Sequence, residues 1–100
     1  MLLMDWKNRG YEPIGRMKIN EEVDCTLWMD RKLVVQGYVI NFLEMRVVLT
    51  LENMDLFMQQ VLGVEDLLFN IDVFAKYLAD DKHQFLRDIE RTGVDYELVD

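Results

Sequence analysis

The chain has no serine, one cysteine, one histidine and one proline. Without serine, every Ser-based catalytic triad is excluded. A lone Cys25 forms no intrachain disulfide, so a small secreted disulfide scaffold is excluded and a reducing cytoplasm is expected. One Cys and one His do not furnish a zinc site of ordinary composition. No run of about 18 apolar residues exists, so no transmembrane helix and no membrane partner are expected. The apolar start, Met1 to Trp6, is too short for a signal peptide. Neither Gly-x-x-x-x-Gly-Lys nor Gly-x-Gly-x-x-Gly occurs, which removes both familiar phosphate cradles. No cofactor is expected.

An excess of positive charge is also missing. The net charge is −8, from 11 basic and 19 acidic residues. That balance disfavours a uniformly basic nucleic-acid binder. The charge is unevenly placed. Residues 1–50 carry seven basic and seven acidic side chains, and residues 51–100 carry four and twelve. An acidic half steers basic partners.

What the chain does have is enough apolar material for one domain. It is 100 residues long and 51% hydrophobic. A chain of this mass exposes roughly 6,000 Å² when folded and buries about two-thirds of its extended surface.

The expected fold is α+β, with a three-stranded antiparallel sheet followed by two or three packed helices. Gly10, Pro13 and Gly15 fall close together, so residues 1–16 read as an arm or loop. Met17, Ile19, Val23, Cys25, Leu27 and Met29 share one parity, as in a half-buried strand broken near Asn20-Glu21-Glu22. Leu33 to Leu43 has strand composition, and Val47 to Leu51 is a third short run. Together 17–51 read as a β-meander.

The period then changes. Met54, Phe57, Met58, Val61 and Leu62 line one helical face, with Asn53 as N-cap and Gly63 as terminator. Residues 65–79 and 81–92 follow as two helices or one kinked helix within a helical region of 53–92. Asp81 and Gln84 form a capping-box pattern. Residues 93–100 read as a tail or an edge strand.

The candidate chemistry is sparse. Cys25 lies on the apolar parity of its strand and reads as a buried, inert thiol. His83 reads as a surface residue. The adjacent carboxylates Glu65-Asp66 and Asp80-Asp81 point about 100° apart on a helix, so they do not converge on one ion. No metal site and no enzymatic activity are expected.

What remains is a binding surface. Glu65, Asp66, Asp80, Asp81 and Asp88 supply acidic charge. Phe69, Val73 and Tyr77 widen the apolar stripe of the second helix beyond what one contact needs. These eight are the candidate partner-binding residues. They point to a small cytoplasmic interaction module, such as an inhibitor, immunity protein or adaptor, whose partner is a protein with a basic surface. A homodimer through an exposed edge strand is an alternative assembly.

The stretch Trp28 to Phe42, with Gly37 inside it, resembles the central hairpin of Sm-like proteins, and Val47-Val48-Leu49 stands for the next strand. Leu43 takes the place of the acidic residue usual after that Phe, and the turn lacks its usual Gly. The resemblance implies a ring that binds RNA. In that reading Trp28 and Tyr38 stack bases while the basic residues of the N-terminal segment hold phosphates.

Overall fold

The computed structural model describes residues 3–64 and 70–99. The element order is α1 (Leu3–Asn8), β1 (Glu12–Lys18), β2 (Val23–Met29), β3 (Val35–Phe42), β4 (Arg46–Thr50), α2 (Leu51–Leu62), α3 (Ile71–Asp80), α4 (Lys82–Thr92) and β5 (Glu97–Val99). The five strands form one antiparallel sheet in the order β1-β2-β3-β4-β5. The α+β class holds, but the expectation of three strands is corrected to five.

Two features account for the difference. The alternation over 17–29 hides a reversal, because Met17 pairs directly with Cys25 and both share a parity. A turn that preserves parity leaves no break in a period-two pattern. Asn20 builds that turn, its Oδ1 accepting from the backbone of Glu22 at 2.8 Å and Val23 at 3.0 Å. The segment read as a loop then becomes most of β1. Gly15, at φ +75°, makes the bulge where the register shifts between Ile14 and Arg16. The fifth strand, β5, lies in the segment read as a tail or an edge strand, but its pairing with β4 comes only after three helices have intervened, so nothing local shows where it joins the sheet.

The helical pattern also translates with shifts. α2 begins at Leu51, and its cap is Thr50, whose Oγ1 accepts from the Asn53 backbone at 3.2 Å. Asn53 itself lies inside the helix. Residues 70–92 form two helices, broken at Asp81 by extended backbone. Asp81 caps α4, but Gln84 does not complete the capping box. Its side-chain amide donates to Asp88 at 3.0 Å instead. Gly63 and Gly93 end α2 and α4 as read.

The sheet carries helices on both faces. On one face Tyr38, Ile40, Phe42, Val47 and Leu49 pack against Met54 and Phe57 of α2, Phe74 and Leu78 of α3, and Phe85 and Ile89 of α4. Phe85 is central, with ring centroids of Phe57, Phe74 and Phe42 at 5.1, 6.2 and 6.3 Å. On the opposite face α1 sets Trp6 against Trp28, Val39 and Val48. The Trp6 and Trp28 centroids lie 5.8 Å apart. Gly37 makes this seat. A Cβ there would lie 2.5 Å from the Trp6 ring and 2.4 Å from the Leu49 carbonyl oxygen. Among the described residues no helix is long and apolar enough to cross a membrane.

Candidate interaction surfaces

Much of the acidic charge of the second half of the sequence lies on the layer of α2, α3 and α4. Glu52, Asp72, Asp80, Asp81 and Glu90 are all exposed on α2, α3 and α4. The packing of α2, α3 and α4 on one sheet face follows from their apolar stripes, so most of their charged positions turn outward, Asp88 being the buried exception.

The eight candidate residues divide by location. Glu65, Asp66 and Phe69 lie outside the described residues. Tyr77 is half-buried against Phe57 and Phe74. Its hydroxyl donates to Asp88 Oδ2 at 2.8 Å. Asp88 is only 7% exposed. It also accepts from Gln84 at 3.0 Å and from Arg91 at 3.2 Å. Burial is the largest influence on Asp88 and opposes its ionisation, but these donors and the Arg91 charge outweigh it, so its pKa lies below the usual value. Burial and the bond to Asp88 push the Tyr77 phenol upward. The structure thus brings Tyr77 and Asp88 together as a clasp between α3 and α4. It commits both to the fold.

Asp81 is committed as well. One oxygen caps α4 through the His83 backbone at 2.9 Å, and the other accepts from Arg87 at 2.9 Å. These bonds hold its pKa below the usual carboxylate value, the His83 bond first. His83 is exposed, and its backbone serves this cap. The remaining two candidates are on the outside of α3. Val73 is 44% exposed. Asp80 is exposed at the last position of the helix. Asp72, beside Val73, is also exposed and was not among the candidates.

A second surface was read only in part, through the basic residues of the N-terminal segment. The sheet face that carries α1 is only half covered by it. The rest is a shallow groove of about 560 Å³ lined by Pro13, Arg16, Asp24, Thr26, Asn41 and Arg46. Lys18, Asp24, Asn41 and Arg46 form one cross-strand row. Asp24 is bonded by Arg16 and by Asn41, each at 2.7 Å. The signal was present as the polar parity of β1 and β2, but assembling the row needs the register of four strands. Trp28 and Tyr38, the aromatics assigned to base stacking, are 4% and 0% exposed. Neither ring is open to a base.

The sheet edges offer little to a second strand. β1 carries Pro13, the Gly15 bulge, Arg16 and Lys18, all of which blunt an edge. β5 has three residues. Among the described residues no group of three His, Cys, Asp or Glu side chains is placed to hold a metal ion.

Comparison with protein families, with curated proteins and with solved structures finds no match for this chain. The Sm-like resemblance therefore rests on the β2–β3 hairpin and β4 alone.

Proposed function

We propose that the protein is a small interaction module, of the kind formed by inhibitors, immunity proteins and adaptors, that acts by binding a basic surface of another protein through its acidic helical layer. The observation that carries this reading is the outer face of α3. Asp72, Val73 and Asp80 are exposed there, with the exposed Lys76 four residues from each carboxylate, and neither carboxylate makes a hydrogen bond or ion pair among the described residues. An apolar contact rimmed by unengaged charge is the chemistry of a steered interface.

The mode of action is binding rather than catalysis. Burial pushes the Cys25 thiol up to about 12, with Asp24 adding to the shift, so the thiolate is suppressed and the group is a poor nucleophile. A single inert thiol also supports a cytoplasmic setting. The test is capture with tagged protein and elution by stepped salt, run beside an Asp72→Lys/Asp80→Lys variant. One stoichiometric protein partner, released by salt and lost from the variant, is the expected result. Recovery of nuclease-sensitive material alone overturns it.

One observation favours a second reading. Arg16, Lys18 and Arg46 share the open sheet face, where they would meet the phosphates of a nucleic-acid strand. A mobility shift of labelled single-stranded RNA at low salt, lost in Arg46→Glu, is its expected signature.

A further inference from the structure

The chain has two tryptophans, and both lie in one small cluster with Val39 and Val48. The helical layer packs in a separate cluster that contains neither of them. The small cluster is built around α1. Of the described side chains of that helix, Lys7 and Asn8 are exposed, and Trp6 is buried at 1%. The Trp6 ring rests over Gly37 and against Trp28. Two cavities of about 330 and 220 Å³ border it, and Thr50 lines both of them beside Trp6. The indole is therefore seated on the sheet but bordered by open space, which forfeits part of the close-packed contact that a ring in the helical core makes.

The helix also carries its own ending. The Gly10 N–H donates to the Lys7 carbonyl at 3.0 Å and the Tyr11 N–H to the Trp6 carbonyl at 2.9 Å, the paired bonds that close a helix on a left-handed glycine. Gly10 is that residue, at φ +84°. β1 begins just beyond it, at Glu12. With no Cβ, Gly10 meets little resistance to a change in φ, so the junction between α1 and the sheet turns easily. α1 has six residues, and isolated helices shorter than about 12–15 residues are marginal in water. Its helical form therefore depends on the seat, and docking and helix formation are one event.

We propose that α1 is a strap that undocks by itself while the sheet and the helical layer stay folded. Its release uncovers Trp28, Val39 and Val48. Trp28 shares a face of β2 with Asp24 and Thr26, which line the polar groove. The closed strap withholds an aromatic ring from that groove, and the open strap adds it. This inference stands apart from both readings of function, because it concerns when the ring is accessible and not what meets it.

The placement of the tryptophans supplies the test. Their fluorescence reads the seat, while helical circular dichroism reads chiefly α2, α3 and α4. Urea titration of the full chain is followed by both signals. The expected result is an emission change whose midpoint falls at lower urea than the loss of helical signal, in place of one shared transition. Native-state hydrogen exchange is the second readout. The Arg9, Gly10 and Tyr11 amides, which bond the Trp6 and Lys7 carbonyls, should be protected about tenfold or more weakly than the amides paired between β3 and β4. Trp6→Ala should keep the helical signal and leave Trp28 open to quenching by acrylamide. Coincident urea transitions in the wild type, or equal protection of the two sets of amides, overturn the proposal. So does a Trp6→Ala chain that loses its helical signal or keeps Trp28 shielded.

Discussion

The two faces of the sheet are covered by different means. On one, three helices meet the strands through many interchangeable contacts, with Phe57, Phe74 and Phe85 packed edge to face at the centre. On the other, a six-residue helix is held by one indole fitted over one glycine. A broad core spreads its stability over many side chains, whereas a small one concentrates it in a single fit. The first should degrade by degrees and the second fail at a point.

The sharpest way to break the broad core is Phe85→Ala. It removes the ring that touches aromatic partners on α2, α3 and β3. A loss of about 3–5 kcal/mol is expected, read by urea unfolding. A loss under about 1 kcal/mol would show that Phe85 is not the centre of this face.

Gly37→Ala attacks the other face. The new methyl meets both the Trp6 ring and the Leu49 backbone. A backbone oxygen does not yield as a side chain does, so about 1–3 kcal/mol is expected. The sharper readout is hydrogen exchange. Protection should fall in α1 while that of α2 and α4 is kept, since Trp6 and the helical core belong to separate clusters. Equal loss in both would erase the distinction between the faces.

Within the helical layer, Tyr77→Phe should cost about 1 kcal/mol by leaving Asp88 one donor short. The pH dependence follows from the same carboxylate. The folded pKa of Asp88 is lowered. Its contribution is therefore complete above the unfolded value of about 4 and is lost as pH falls through the folded value. Asp88→Asn should flatten the acid limb of the stability curve, measured between neutral pH and the onset of acid unfolding. The smallest effect is expected at the β2–β3 turn, where Leu33 is left-handed at φ +62°. Leu33→Gly should stabilise the fold by up to about 1 kcal/mol, because the left-handed strain is relieved against a small entropic loss. A decrease in melting temperature would contradict that strain.

Legibility differed between the helices and the site. Met54, Phe57, Met58, Val61 and Leu62 spelled out α2 because helical contacts repeat locally. Gly63, Asp81 and Gly93 marked ends for the same local reason. Tyr77 read as part of a widened apolar stripe and Asp88 as a source of surface charge, since each was judged on its own helix. Their burial depends on meeting each other across the α3–α4 reversal. Val73 is 44% exposed on α3.

The sequence alone determined the α+β class, the helical stripes and the segregation of acidic charge. All three follow from local periodicity and composition, which act over a few residues. Only the tertiary structure decided that the sheet has five strands and that Trp6 closes its second face. It also decided that Asp88 is buried and bonded to Tyr77 across α3 and α4. Those outcomes depend on strand register and on contacts between residues far apart in the chain, where a side chain's environment is set by what folds against it.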